Sequence, residues 1–250
     1  MGTRSFLRPA FAFAAVTLAS LPGSSARAQT VATDFSAAYS VTELGSVPGL
    51  PTRYGGLTFL DSDTILIGGQ ANDAPGRFYT IDVVRGTGGH ITGFSGTAVK
   101  FGNVGDYNDG GVAFGPGGVL FTAQWPIRKL GQTKPGSTDE DKVIDLAAAP
   151  LSLTAGPGGL TFVPPGLPGA GQLKVVAYDD AKWYTFVLAP DGAGTYNVTS
   201  ATLNVTLQGG PEGIAYVPPG SPLSPTPASS SPSTGPTWWA FTRWTRTAIR

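Results

Sequence analysis

A short motif occurs four times in this 250-residue chain and constrains its fold more than any other feature. The copies read YGGLTF, DGGVAF, PGGLTF and PEGIAY, and they begin at Tyr54, Asp109, Pro157 and Pro211. Their starts are 55, 48 and 54 residues apart. A repeat of about 50 residues with several strands per unit is typical of propeller blades. The sequence therefore predicts an all-β, propeller-like fold with four recognisable blade starts.

Each copy has the alternation of a β-strand, with two large apolar residues separated by Thr or Ala. We expect these strands to be innermost in their blades, because the Gly pair lets neighbouring backbones approach closely. The apolar residues should then be mostly buried between blades. They are Leu57, Phe59, Val112, Phe114, Leu160, Phe162, Ile214 and Tyr216.

Further strands are predicted after each copy. In the first unit they are Thr64 to Ile67, Arg77 to Val84 and an outer strand starting at His90. Copy two is followed by one predicted strand, VLFTAQW. Copy three is followed by three: LKVVAYDD, KWYTFVLA and TYNVTSATLNVTLQG. A long loop is expected from Arg128, with the acidic residues 139–141 as solvated surface. The segment from Phe35 to Ser46 resembles an outer strand and is expected to pair with the final blade.

The chain divides into three parts by composition. Residues 1–28 are predicted to be a secretory signal, with Arg4 and Arg8 before a short apolar stretch and an A-x-A cleavage site ending at Ala28. Residues 29–219 form the predicted propeller-like domain, and residues 220–250 a Pro/Ser-rich linker and a disordered tail. We expect an exported protein, periplasmic or extracellular, with no membrane span after signal cleavage.

The tail also carries a hypothesis about the gene. Its Trp-Thr-Arg sequence suits no blade, whereas reading Trp238 to Arg250 one nucleotide earlier permits V-G-x-H/Y-A-V-D-A-D-G-N-P, a strand followed by an Asp-Gly turn. This pattern suggests a frameshift between Ser221 and Pro236, which would leave the ring incomplete and an exposed strand edge near Ile214.

Charge and cysteine content limit the possible partners and chemistry. Six of the 16 basic residues lie in the signal and at the far C-terminus, which leaves ten against 16 acidic residues in the body. An acidic body with no basic cluster argues against nucleic acid as a partner. The chain has no cysteine, so disulfides, thiol catalysis and Cys-metal sites are excluded.

The segments DGGVAFGPGGVLF and PEGIAYVPPG resemble the repeats of NHL-type and gluconolactonase-like β-propellers. The resemblance covers about residues 54–219. Gluconolactonase-like enzymes hold an axial divalent cation with Glu, Asn and Asp side chains. The resemblance therefore implies Glu212, Asp109 and Asn108 as ligands of calcium or another divalent cation. The family's Glu belongs to a Glu-Gly pair in the first blade, where this chain has Tyr54 and Gly55.

Two other sites of chemistry can be considered from the residues alone. The run of residues 102–111 contains Asp106, Asn108 and Asp109 but no distal Glu, so it is either a partial calcium loop or an Asx-rich turn. Quinone-dependent sugar dehydrogenases of similar fold use a histidine base. The one histidine, His90, falls at a predicted outer strand and is expected to be a surface residue.

Two functions remain open at this point. The first is a non-catalytic extracytoplasmic binding or scaffold module whose partner is an unknown small molecule, glycan or protein. The alternative is a metal-dependent hydrolase of the lactonase type. Convergence of Glu212, Asp109 and Asn108 on a common point would favour the hydrolase, because calcium needs oxygen ligands at about 2.3–2.6 Å.

Overall fold

The computed structural model describes residues 30–216. The predicted signal, residues 1–28, and the predicted linker and tail, residues 220–250, lie outside this range, as does the region of the proposed frameshift. Apart from short 3-10 turns of three residues, the described part of the chain contains no helix, so the all-β prediction is confirmed.

The strands form three four-stranded antiparallel sheets, each built from consecutive strands. Sheet 1 contains β1 (Leu57–Phe59), β2 (Thr64–Gly69), β3 (Arg77–Arg85) and β4 (Ile91–Lys100). Sheet 2 contains β5 (Val112–Phe114), β6 (Leu120–Gln124), β7 (Lys129–Thr133) and β8 (Lys142–Asp145). Sheet 3 contains β9 (Pro157–Phe162), β10 (Leu173–Ala177), β11 (Lys182–Pro190) and β12 (Tyr196–Thr206).

Short polar turns set the register of these sheets. Between β1 and β2, the Asp61 carboxylate accepts hydrogen bonds from the backbone N–H groups of Asp63 and Thr64, both at 2.8 Å. Such an Asx turn reverses the chain tightly, and Phe59 pairs directly with Ile65 across it. The strands predicted after copies one and three are confirmed as β2, β3, β10, β11 and β12.

The first strands of the three sheets lie side by side, and the second glycine of each motif copy explains how. A Cβ added to Gly56 would lie 2.7 Å from the Cα of Gly111, and one added to Gly159 would lie 2.9 Å from the Cα of Gly213. A Cβ on Gly111 would meet the Cα of Gly159 at 3.4 Å. These four glycines form a column, here called the glycine column. A side chain within it would push neighbouring backbones apart.

Two apolar layers fill the space between successive sheets. Leu66 and Phe78 of sheet 1 pack with Val112 and Leu120 of sheet 2, and Val104 of the connection completes that layer. The layer between sheets 2 and 3 is larger and includes these fully or nearly fully buried side chains: Phe121, Ala123, Leu130, Leu160, Leu173, Val175 and Phe186. Motif copies two and three thus direct their apolar pairs toward the preceding sheet.

This rule corrects the prediction for the first copy. Leu57 is 50% exposed and Phe59 is 44% exposed, whereas Val112 and Leu160 are buried. Because no described sheet precedes sheet 1, only the segment around Val47 and Leu50 packs on that face. In the fourth copy, Ile214 and Tyr216 are half-buried and Ala215 forms a single β-bridge, so this copy is not a strand within the described residues.

Two other predictions about elements are wrong. Residues 35–46 form no strand; the N–H groups of Ala38 and Tyr39 bond to the carbonyl of Phe35 in a local turn instead. The loop expected from Arg128 is interrupted by β7 and β8. The β7 sequence KLGQT lacks the alternation of a strand, because its buried Gln132 is polar. Gln132 exchanges hydrogen bonds with the backbone of Tyr196.

The three sheets do not close into a ring within residues 30–216, and a propeller is not established by them. In the same range, no helix has the length and hydrophobicity needed to cross a membrane.

Candidate functional site

A small pocket lies where the first strands of sheets 2 and 3 begin. Glycines of two motif copies, Gly110 and Gly158, line it together with the carboxylate residues Asp109 and Glu212. Trp125, which follows β6, and Tyr178, which follows β10, complete the lining. The pocket therefore brings together two of the three residues predicted as metal ligands.

Asp109 is placed by the connection from β4 to β5, which ends in a 3-10 turn, Asn108–Gly110. The Nδ2 of Asn72 donates a hydrogen bond of 2.8 Å to the Oδ2 of Asp109. Asn72 lies in the loop between β2 and β3, so sheet 1 orients this carboxylate at the start of sheet 2.

Asn108 does not belong to the pocket lining and is fully buried. Its Nδ2 donates to the carbonyls of Gly69 (3.1 Å) and Gly105 (2.7 Å). Its backbone carbonyl accepts a hydrogen bond from Gly56 N–H at 2.7 Å. The amide thus ties sheet 1 to the β4–β5 connection. The Oδ1 of Asn108, the atom that would bind a metal, is buried without a hydrogen-bond partner among the described residues and lies against Gly55 and Gly68. The pocket lining thus contains Asp109 and Glu212 but not Asn108.

Glu212 reaches the pocket because the fourth motif copy lies against the third. Gly213 is next to Gly159 in the glycine column, and the Tyr178 ring packs on Gly210, where an added Cβ would meet its Cε2 at 2.5 Å. The chain end described here is therefore held on sheet 3 by backbone packing, and Glu212 is directed to the same pocket as Asp109.

Trp125 and Tyr178 occupy corresponding positions at the ends of the second strands of sheets 2 and 3. Their ring centroids are 5.3 Å apart, with the planes at 77° in an edge-to-face arrangement. The Nε1 of Trp125 is buried and has no hydrogen-bond partner among the described residues. Tyr178 was not singled out by sequence analysis; aligning the motif copies together with the strands that follow them would have revealed it.

The pocket has a volume of about 30 Å³. A cavity needs about 10–15 Å³ to hold one water molecule, so the pocket can hold a water or a single ion. It is too small for a sugar lactone. No cluster of three or more His, Cys, Asp or Glu suited to a metal occurs among residues 30–216. A cation here would depend on two carboxylates, with backbone carbonyls or water as further ligands.

A third carboxyl group of interest, Glu140, was missed because it lies in the acidic run predicted to be solvated surface. Burial raises the pKa of Glu140 to about 7, although the hydrogen bond from Gln124 favours the charged form. The Nε2 of Gln124 contacts both carboxyl oxygens, at 2.8 and 3.0 Å. The ion-paired Asp106 and Arg77 lie nearby and act on it in opposite directions. The sequence gives no signal of this burial, because a Glu in an acidic run has the pattern of an exposed residue.

His90 is exposed and immediately precedes β4, as predicted. Trp183 and Tyr184 are buried in sheet 3. Neither residue lines the pocket between Asp109 and Glu212, so the aromatic side chains available there are those of Trp125 and Tyr178.

Comparison with known proteins gives limited information. No protein-family model and no curated protein matches the sequence. Among solved structures, a candidate 6-phosphogluconolactonase from Bacteroides uniformis is 18% identical, with a TM-score of 0.43 over 68% of this chain and 49% of its own. The hydrazine synthase of Kuenenia stuttgartiensis is 14% identical, with a TM-score of 0.37 over 70% of this chain and 40% of its own. The chain thus spans about half or less of these proteins, and TM-scores this low establish no shared function.

Proposed function

We propose that the protein is an exported, non-catalytic binding or scaffold module of propeller-like architecture that holds one small cation between Asp109 and Glu212. The propeller part of the proposal is supported by the glycine column, since it repeats one packing contact from copy to copy. The export part rests on the signal-like residues 1–28.

The pocket volume is the observation that carries the choice of binding over catalysis. A pocket of about 30 Å³ has the size of a water or an ion site, well below the ~300–1,000 Å³ of typical small-molecule sites. The lactonase alternative also requires Asn108 as a ligand, and that residue lies outside the pocket lining. Calcium is a suitable occupant, because it accepts carboxylate, carbonyl and water oxygens in flexible geometry.

Thermal unfolding of the mature protein in a calcium titration tests the cation. A ligand that binds only the folded state raises Tm by mass action, and a concentration of 100 times Kd gives roughly 2.7 kcal/mol. We expect this increase in the wild type and its loss in Glu212→Gln and Asp109→Asn. Asp179→Asn is the matched control, since Asp179 is exposed in the same loop as Tyr178 and outside the pocket. An equal calcium response in all four proteins would reject the site.

Hydrolysis of glucono-1,5-lactone tests the absence of catalysis. With calcium, magnesium or zinc added, the mature protein should give the uncatalysed rate. A metal-dependent rate that disappears in Glu212→Gln would overturn the proposal in favour of the hydrolase.

A further inference from the structure

A second, larger cavity lies where β10 begins, whereas the pocket of Asp109 and Glu212 lies where β10 ends. Its volume is about 380 Å³, within the range of small-molecule sites. The described residues that line it include no Asp, Glu, Lys, Arg or His. Phe186, Leu188 and Tyr196 belong to the lining, and all three face the apolar layer between sheets 2 and 3. The wall is therefore apolar and uncharged.

The cavity forms where β10 stops pairing with β11. The last pair joins Leu173 to Phe186, although β11 itself continues beyond this point. The same register would place Gly171, in the β9–β10 connection of residues 163–172, opposite Leu188. Gly171 has a φ of +81° and donates its N–H to the carbonyl of Val163 at 2.9 Å instead. The connection thus turns toward β9 and leaves a gap beside β11.

Sheet 1 contains the bond that sheet 3 lacks at this place. Ile65 matches Leu173, because each pairs with the Phe that ends its motif copy, and Val83 then matches Leu188. The N–H of Val83 donates a hydrogen bond to the carbonyl of Asp63 at 2.8 Å. No backbone hydrogen bond joins Leu188 to the β9–β10 connection. Four residues, 60–63, make the turn in sheet 1, so the longer connection of sheet 3 opens an edge that the short turn closes.

The backbone of Leu188 points into this gap. The carbonyl of Val187 is directed toward β12, where it accepts a hydrogen bond from the Thr199 hydroxyl at 3.3 Å. Since the backbone groups of successive strand residues point to opposite sides, the N–H and C=O of Leu188 are directed away from β12. The cavity therefore combines one backbone donor and one backbone acceptor with an apolar wall.

We infer that this cavity binds an extended peptide segment of another protein, which adds to the open edge of β11 with a large apolar side chain opposite Leu188. In an antiparallel pair of this kind the opposite residue exchanges both backbone hydrogen bonds with Leu188. Its side chain then lies on the same face as Leu188, beside Phe186 and Tyr196. Addition of a strand to an open sheet edge is a recurrent mode of peptide recognition, in which main-chain bonds give affinity and side-chain pockets give specificity.

The absence of charge in the lining favours an apolar side chain at this position, because a charged group would lose water without gaining a partner. The inference is independent of the cation proposed at Asp109 and Glu212, and either can fail alone.

Hydrogen exchange of the nitrogen-15-labelled mature protein, followed by NMR, tests the open edge without any ligand. The amide of Leu188 should exchange rapidly, whereas the amide of Val83, its hydrogen-bonded counterpart in sheet 1, should be protected. Equal protection of the two amides would overturn the inference, because the edge of β11 would then be occupied.

Titration with the tripeptide N-acetyl-Ala-Phe-Ala-amide tests the binding itself. The matched probe carries a methyl group on the Phe nitrogen, so it keeps the aromatic side chain but cannot donate to the Leu188 carbonyl. We expect the unmodified tripeptide to shift the Leu188 amide resonance saturably and to slow its exchange. The methylated tripeptide should bind at least about fivefold more weakly.

Replacement of Leu188 by Ala tests the apolar wall, and the tripeptide should bind this variant at least about fivefold more weakly. Val205→Ala is the control, because Val205 is an exposed strand residue of the same sheet outside the lining, and its affinity should equal that of the wild type. No saturable binding to the wild type, equal affinity for the two tripeptides, or unchanged affinity in Leu188→Ala would each overturn the inference. If Leu188→Ala fails to fold, the two tripeptides on the wild type still decide.

Discussion

Replacement of Asn108 by Ala separates a structural role from a role as a metal ligand. The change removes two hydrogen bonds and leaves the carbonyls of Gly69 and Gly105 without that donor inside the protein. An unsatisfied buried polar group costs about 1–3 kcal/mol. The Oδ1 of Asn108 is itself buried without a partner, so its removal recovers part of this cost, about 1 kcal/mol. With two carbonyls affected, we expect a net loss of about 1–5 kcal/mol in the free energy of unfolding.

Thermal and urea unfolding measure this loss. For a domain of this size 1 kcal/mol corresponds to about 2–4 °C, so Tm should fall by about 6–12 °C at the middle of the range, with or without calcium. Asn103→Ala is the control, since Asn103 is exposed on the same connection. A drop in Tm that appears only when calcium is present would refute the reasoning and restore Asn108 as a ligand.

Three further predictions concern the repeated packing and Glu140. Gly56→Ala should lower the free energy of unfolding by about 1–3 kcal/mol, because the new Cβ meets the Gly111 backbone. Gly93→Ala is the control and should be nearly neutral, since a Cβ there meets nothing within 4 Å. Similar urea midpoints for the two variants would contradict the glycine column. Leu160→Ala should lower the free energy of unfolding by about 2–4 kcal/mol. Leu57→Ala, at the equivalent but half-exposed position, should lower it by under about 1 kcal/mol. Equal losses would show that another element covers sheet 1. The pKa of Glu140 is about 7 in the folded state, against an ordinary value of 4.5. Between these pH values the folded state binds more protons than the unfolded state. The free energy of unfolding should therefore decrease by about 1–3 kcal/mol as the pH rises from 4.5 through 7. Glu140→Gln should abolish that decrease, and an unchanged pH profile in this variant would exclude Glu140 as its source.

The sequence predicted much of the fold because its information was periodic. Alternation predicted strands from Arg77 to Val84 and from Lys182 to Ala189, which are present as β3 and β11. The motif spacing predicted four first strands, of which three are formed and lie together. Alternation failed for β7, where Gly131 and Gln132 are buried without being apolar. The exposure of Leu57 and Phe59 could not be foreseen, because a motif gives the direction of an apolar pair but not whether a sheet covers it.

The candidate site was predictable only in part. Asp109 and Glu212 share a pocket because they are adjacent to the glycines of one motif, and that relation is visible in the sequence. Asn108 precedes the same motif by one residue, yet its side chain is directed to Gly69 and Gly105. Side-chain direction at a 3-10 turn depends on the backbone, which residue type does not specify. The burial of Glu140 also had no signature in the sequence, because its neighbours Asp139 and Asp141 are acidic and exposed.

Luminescence of terbium, a calcium analogue, tests the cation site most directly, because Trp125 lines the pocket and can sensitise an ion bound there. Excitation of tryptophan in the mature protein should give terbium emission that saturates and is displaced by calcium. The proposal predicts that Trp125→Phe and Glu212→Gln each abolish this emission, while Trp183→Phe, at a buried position outside the pocket lining, leaves it in place. Absence of saturable emission in the wild type, or emission that survives Glu212→Gln, would contradict a cation held between Asp109 and Glu212.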